Sequence, residues 1–468
     1  MNSARGFTPP ALLEANRDEG VERWFNGELQ RRVAQIGPGL SSMVPKDVQA
    51  ALEMANRLPD GSVSLMTSPS DFLQMANFIS GPQDIIRRAR EGFDLLAGNS
   101  TNNTLMAIAR GVPGGGSSTR AQTWLAEHPE AARELGIDGS TPRSFYPLEG
   151  RTLVQVLLEN GRGLEKHLDR VIPNIIMTNS EIVPALLESV RENWKCWSID
   201  ALTNTFFFNQ VVLPRKYVSD LADVEENGRV KLYAAGHGDF PFLLGQYSFV
   251  KALHDEGIRY FLFSNADEYM WGPDPVMVSI AEELAQKGNP MLAIGVENSN
   301  NQLGGGFVKE GVLVETPRLP WSLLQSGKAP AALNAAFYLL HVPTMLERLE
   351  KLIQEPPRIL TVKTVPGRGE GTEELIVGVD SHAGDIFTEA MKPSAFIWWP
   401  RTNFLGIKDA GFLVGGTPID YLGGRTYRQF TTEAAHKYPK ILEALYHGDE
   451  SAARQLAANG YCYVDVDF

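Results

Sequence analysis

Apolar residues recur at helical spacing through ALEMANRL and DIIRRAREGFDLLAG, so residues 1–98 are predicted to be helical, with Asp84 placed to cap a start and Gly98 an end. From about residue 104 the pattern changes. Short apolar runs (LMAIA, IIMT, KLYAA, YFLFS, MLAIGVE) alternate with helical stretches bounded by Gly and Pro. This alternation predicts an α/β core with a mixed, mostly parallel sheet. The clearest unit is a helix from Leu243 to a C-cap at Gly257, a strand Tyr260–Ser264, a helix through Met277, Ile280 and Leu284, and a strand Met291–Glu297. A short helix over Glu450–Ala458 and an alternating YCYVDVDF, read as an edge strand, close the chain. No internal repeat is present. The expected organisation is a helical N-terminal region over 1–98, a core over 99–395 and a C-terminal region over 396–468.

Composition narrows the function. The 468 residues are 43% apolar and 21% charged, the balance of a globular protein. The 43 Lys and Arg against 56 Asp and Glu leave a net charge of −13, which opposes polymeric nucleic acid and anionic membrane surfaces. A small anion stays open as a ligand, because backbone N–H groups and one or two cations bind it locally. Cys196 and Cys462 form no framework or zinc motif, and no apolar stretch has signal-peptide or membrane-spanning length. The expectation is a soluble protein of the cytoplasm.

Four loops carry candidate chemistry. GVPGGGSSTR, residues 111–120, follows a strand and is either a phosphate cradle or a flexible connection. Gly236, His237, Gly238 and Asp239 follow the run KLYAA. They would permit close approach of a ligand or simply close a tight turn. Asp267 and Glu268 lie past the end of YFLFS, where a carboxylate holds Mg²⁺ or caps a turn. Arg401 and Lys408 stand in the apolar WWPRTNFLGIKD, as phosphate-neutralising cations or as solvated charges. No GxSxG elbow, HExxH or P-loop occurs, which demotes nucleophilic hydrolysis and P-loop chemistry.

Taken in order, these segments resemble the UDP-glucose pyrophosphorylase family, UTP:sugar-1-phosphate uridylyltransferases with a GT-A-like, Rossmann-like nucleotidyltransferase core. The family's GHGD is similar to Gly236–Asp239, its FVSNxDN to Phe261–Glu268, and its following Asp-Pro to Asp274 and Pro275. Its NQSxxPR resembles FNQVVLPR, its LMNS resembles IMTNS, its LLE-x-x-x-P resembles LVETPRLP, its FNTNN resembles LNAAF, and its VPRSRFLPVK resembles WPRTNFLGIK. The resemblance spans about residues 100 to 410. It implies a catalytic set of Lys408, Asp267 and Arg120, with Asp267 as the Mg²⁺ ligand. It puts Gly114, Gly115, Gly116, Met177, Gln210 and Gly236 on the nucleotide, and His237, Asn265, Gly305, Glu315 and Asn334 on the sugar phosphate. UTP and a sugar 1-phosphate are the implied partners.

The chain departs from the family pattern at the glycine-rich loop, where LNGGLGTxMG is replaced by GGGSSTR. It also has Arg143 in place of the family's Lys, and Ala335 and Ala336 within NTNN. About 60 residues follow Lys408, too few for the family's C-terminal β-helix. Transfer with another nucleotide or phosphate acceptor, and non-catalytic binding of a nucleotide sugar, stay open as alternatives. So do the sugar, the direction of the reaction and the oligomeric state.

Overall fold

The computed structural model describes residues 18–41, 43–98, 108–113, 124–138, 141–148, 150–178, 205–226, 228–265, 272–298, 306–354, 356–369, 372–401, 411, 413, 414, 419 and 422–467. The strands that frame the site begin with Ile108–Pro113 (β1), Asn174–Thr178 (β2), Thr205–Asn209 (β3), Val212–Pro214 (β4), Lys216–Tyr217 (β5) and Leu232–Ala234 (β6). Tyr260–Ser264 (β7) and Met291–Glu297 (β8) are followed by a hairpin, Gly306–Val308 (β9) and Val312–Val314 (β10). Ala332–His341 (β11), Ile359–Pro366 (β12), Glu373–Asp380 (β13) and Ser394–Trp399 (β14) complete them.

Seven of these strands make the central sheet, in the order β14-β8-β11-β7-β1-β2-β3. β1 is parallel to β7 and β2, β2 to β3, and β8 to β14, whereas β11 is antiparallel to both β7 and β8. The fold is therefore a mixed α/β one. All five residues of YFLFS are buried, as a continuous apolar run requires when both faces of a sheet are covered.

The period of two divides this run between two cores. Tyr260 and Leu262 join a cluster with residues of helices Pro82–Ala97 (α1), Leu153–Leu168 (α2), Pro275–Gln286 (α3) and Tyr427–Tyr446 (α4). Phe261 and Phe263 join the opposite cluster, with Phe240, Leu253 and Phe387. A slip of one residue would exchange the two sets, so register is strongly specified here. The first cluster unites Ile85, Tyr260 and Tyr463, so residues from all three expected regions share one core. Gly92 of α1 lies so close to α3 that a Cβ there would stand 1.8 Å from the Pro275 carbonyl oxygen, and only glycine permits that approach.

A smaller antiparallel sheet, β12-β13-β5, stands beside the central one. Its apolar residues Leu360, Val362, Val377 and Val379 pack with Phe25, Leu29 and Leu52 of two N-terminal helices, Glu19–Ile36 and Pro45–Met54. Among the described residues, β6 pairs only with β4, antiparallel. The GHGD loop therefore leaves a separate two-stranded ribbon rather than a strand of the central sheet.

Two further expectations are corrected. The helix expected from Leu243 to Gly257 is two helices, Asp239–Gln246 and Phe249–Asp255, broken where Ser248 adopts φ +58°. YCYVDVDF is no edge strand. Tyr461 has φ +68°, Tyr461 to Val464 are all buried, and the hydroxyls of Tyr461 and Tyr463 donate to Asp274. Asp274 in turn caps α3 by accepting from the Val276 and Met277 N–H groups at 2.8 and 3.3 Å. Asp84 does not cap its helix as N-cap. Gly81 holds that position, and Asp84 instead accepts from the Ser80 N–H. Among the described residues, no helix is long and apolar enough to cross a membrane.

Candidate functional site

The site is built from the GHGD loop outward. Gly236 adopts φ +94°, and a Cβ on it would lie 2.1 Å from Asp380 Oδ1 and 2.4 Å from both Ser381 N and O. Glycine is required here on both counts. The loop is held from two directions. Gln210, just past the end of β3, is buried; its backbone N–H donates to the Thr178 carbonyl at 2.8 Å, and its side-chain Nε2 donates to the Gly236 carbonyl at 2.7 Å. From the opposite side, the Gly238 N–H donates to the Ser381 carbonyl at 3.0 Å, and Ser381 Oγ donates to the Ala235 carbonyl at 2.9 Å. A third bond there runs from the Ala383 N–H to His237 Nδ1, at 2.9 Å. Because Nδ1 accepts, the neutral His237 ring carries its proton on Nε2.

Asp239, the last residue of the motif, is fully buried against Arg358, whose Nη2 lies 3.1 Å from Oδ1. Burial pushes its carboxyl up to about 7 against the pull of that guanidinium. Asp239 thus anchors the loop in the interior. Met177, in β2, pairs in register with Phe208 and is buried in the same apolar cluster as Phe240. Asn265 directly follows the last residue of β7 and is half-buried.

A second group gathers around Glu315, which follows β10. Asn334 Nδ2 donates to Glu315 Oε1 at 3.0 Å, while Asn334 Oδ1 accepts from the Ala336 N–H at 2.8 Å and the Tyr338 hydroxyl at 2.9 Å. Two donors on one oxygen fix which way the amide points. Asp385 supports Glu315 from below. It accepts from the Glu315 N–H at 3.1 Å and from Arg318 Nη1 at 2.8 Å. Burial raises the Glu315 carboxyl, opposed first by the charge of His382.

His382 joins the two groups. Its ring centre is 5.5 Å from that of His237, and its Nε2 is 3.9 Å from Asp380 Oδ2. Burial would lower its pKa, but the charges of Asp380, Glu315 and Asp385 outweigh burial and Arg318, so the net direction is upward. Sequence reasoning misses the stretch Asp380–Ala383. Its signal, an apolar strand EELIVGVD running into Ser-His-Ala-Gly-Asp, has no chemical signature until the fold sets it against GHGD.

Of the expected site residues, the structure joins Gln210 to Gly236 and Glu315 to Asn334, with His237 beside His382. Lys408, Asp267, Arg120, Gly114, Gly115, Gly116 and Gly305 lie outside the described residues. Among the described residues, no group of three or more His, Cys, Asp or Glu side chains is placed to hold a metal ion.

Residues 133–313 match the model of the family described as UTP–glucose-1-phosphate uridylyltransferase. No curated protein matches the chain by sequence. Solved structures share its fold at low identity. A mutant UDP-glucose pyrophosphorylase from Leishmania major aligns with a TM-score of 0.57 and 14% identity, over 85% of this chain and 78% of that one. Another mutant of that enzyme, in complex with UDP-glucose, aligns at 0.53 and 14%, over 80% and 75%. The uridine diphosphate N-acetylglucosamine pyrophosphorylase from Trypanosoma brucei, in complex with an inhibitor, aligns at 0.54 and 16%, over 94% and 87%. The stretch that includes GHGD and its flanks is thus similar to the UTP–glucose-1-phosphate uridylyltransferase family, and most of the chain shares the fold of the solved UDP-sugar pyrophosphorylases.

Proposed function

We propose that this protein transfers a uridylyl group from UTP to a sugar 1-phosphate, releasing pyrophosphate, on a GT-A-like core. The observation that carries the reading is the bond from Gln210 to the Gly236 carbonyl. It unites, across 26 positions of sequence, the two residues that the family resemblance puts on the uracil. The same resemblance puts Glu315 and Asn334, which are bonded to one another, on the sugar.

The reaction needs little covalent help from the protein. A phosphate oxygen of the sugar 1-phosphate, already an anion, attacks the α-phosphorus in line; the new P–O bond forms as the bond to pyrophosphate breaks. The work left to the chain is to hold two polyanions in line and offset their charge. Gly236 lets the loop close on Asp380–Ser381, and Gln210 fixes its backbone for the base. His237 offers an N–H at Nε2, while Glu315 and Asn334 offer a pre-oriented acceptor and donor to sugar hydroxyls. Lys408, Arg120 and the loop Gly114–Gly116 are proposed to meet the phosphates. Mg²⁺ is proposed to bind at Asp267 together with substrate phosphates, where it would neutralise their charge.

The test is pyrophosphate release with each of the four nucleoside triphosphates against glucose 1-phosphate and N-acetylglucosamine 1-phosphate. Release with UTP and one of the sugars is the expected result, and it names the sugar. Release confined to another nucleotide would move specificity to the altered glycine-rich loop. No release with any pair, in a protein that still binds UDP-glucose, would replace transfer by binding.

A further inference from the structure

The two faces of the smaller sheet differ in character. Leu360, Val362, Val377 and Val379 point into the core with the N-terminal helices. The period of two therefore puts Thr361 and Lys363 of β12, and Ile376, Gly378 and Asp380 of β13, on the other face. At one end of this second face stands Asp380, against which Gly236 is packed. The rest of the face has no part in the site described above.

A glycine opens that face to a cation. A Cβ on Gly378 would stand 3.2 Å from Arg215 Cγ and 3.3 Å from its Nε, so the Arg215 side chain, one residue ahead of β5, lies against β13 where a larger residue would crowd it. The guanidinium is stacked on Tyr233, its carbon 3.7 Å from the ring centre, and Lys231 Nζ is 5.7 Å from the same centre. Gly378 pairs with Thr361, and Lys363 stands two residues along β12 on the same face, a diagonal that long side chains span. Arg215, Lys231 and Lys363 thus share one patch, with the Asp380 carboxylate at its end. Arg368 differs. It is stacked on Tyr217 of the same face at 4.0 Å but is taken by Asp220 and Glu374, each at 2.7 Å. Desolvation first, and then the Arg215 charge, lower Lys363 against the pull of Asp380. Three cations against one carboxylate leave two positive charges, which a phosphate dianion balances. A guanidinium lying flat on a ring keeps its N–H edge for such an oxyanion.

We propose that Arg215, Lys231 and Lys363 form a second anion site on this face, beside the GHGD loop, for a phosphate dianion, either the free ion or a phosphomonoester. The site is separate from the phosphate-binding groups proposed for transfer, and it stands whether or not the protein transfers a uridylyl group.

The experiment is calorimetric titration of the full chain with inorganic phosphate and with glycerol 3-phosphate, at constant ionic strength and about pH 8, where a phosphoryl group carries close to two charges. Each titration is run with and without saturating UDP-glucose. Phosphate is expected to bind in both conditions. Binding of both titrants makes a phosphomonoester the ligand, and binding of inorganic phosphate alone makes it the free ion. Lys363→Gln and Arg215→Gln are each expected to weaken the binding at least about 10-fold, the scale of a hydrogen bond to a charged group. Lys363 is exposed, so its variant keeps the test intact even if Arg215→Gln fails to fold. Arg368→Gln, whose cation is already engaged, is expected to leave phosphate binding unchanged. No binding by wild type, unchanged binding by Lys363→Gln and Arg215→Gln, or an equal loss in Arg368→Gln overturns the proposal. So does binding that disappears once UDP-glucose saturates the protein, which would assign the phosphate to the substrate's own site. Failure of wild type to bind UDP-glucose would count against the transfer reading alone, since the titrations without it still test the patch.

Discussion

Gly236→Ala should be the most damaging small substitution in the loop, because it combines two costs that other glycines separate. At φ +94° the new side chain meets left-handed backbone strain, about 1–2 kcal/mol for an L residue. Its Cβ would also stand 2.1 Å from Asp380 Oδ1 and 2.4 Å from Ser381 N and O. Two of those atoms are backbone, so the Asp380–Ser381 segment must shift, an overpacking cost of about 1–3 kcal/mol. The sum is roughly 2–5 kcal/mol. Gly288→Ala isolates the first cost, since φ is +89° and no atom lies within 4 Å of where its methyl group would stand. Gly238→Ala isolates the second, since φ is −66° and the methyl would meet His382 N and Ser381 Cβ at 2.7 Å. Unfolding free energies from urea titration of the three variants give the comparison directly. Gly236→Ala is expected to lose more stability than either control, and to lose UDP-sugar affinity, which Gly288→Ala keeps. Equal losses for Gly236→Ala and Gly288→Ala would refute the close packing of GHGD on Asp380–Ser381.

Three further outcomes are expected. Asn334→Asp keeps the acceptor for the Ala336 N–H and the Tyr338 hydroxyl but sets a carboxylate against Glu315. A loss of about 1–3 kcal/mol in stability, read by urea titration, and a weaker KM for sugar 1-phosphate should follow. Lys408→Ala should reduce the rate of pyrophosphate release on the order of 10²- to 10³-fold if that charge acts in the transition state, and an unchanged rate would remove Lys408 from the mechanism. The upward shift of His382 from its ordinary value of 6.5 contributes stability that is complete below 6.5 and is lost as pH rises through the folded-state value. Unfolding free energy should therefore decline with rising pH over that window in wild type, and this component of the decline should vanish in His382→Gln.

The parts of the fold that the sequence disclosed are those decided by local burial. YFLFS, MLAIGVE and the core of IIMT are continuous apolar runs in strands buried on both faces, and Glu450–Ala458 follows a capping Asp449. Tertiary context decided the rest. The three residues of Leu232–Ala234 are only half-buried, and nothing local distinguishes a central strand from a ribbon paired with Val212–Pro214. In the tail, the alternation of Tyr461 and Tyr463 with smaller residues imitates a strand. What organises those tyrosines is the buried carboxylate of Asp274, 187 and 189 positions away. The same holds within the site. GHGD was legible as a motif, but its counterpart at Asp380–Ala383 becomes visible only once β13 pairs with β12 and delivers it to the loop.

That counterpart explains why the two halves of the site are mechanically one. The carbonyls of Ala235 and Gly236 accept from Ser381 and Gln210, and the N–H of Gly238 and the Nδ1 of His237 are bonded to Ser381 and Ala383. Four consecutive residues are thus tied both to the end of the central sheet, at Gln210, and to the end of the smaller sheet, at Asp380–Ala383. In-line transfer depends on the separation of nucleotide and sugar phosphate, and a misplacement of about 1 Å can cost on the order of 10²-fold in rate. A loop fastened to both sheets sets that separation by the packing of the sheets themselves. Substitutions at Ser381, which bonds the Ala235 carbonyl and the Gly238 N–H, should consequently disturb the KM for UTP and for sugar 1-phosphate together. Damage confined to one substrate would mean that the two halves are held independently.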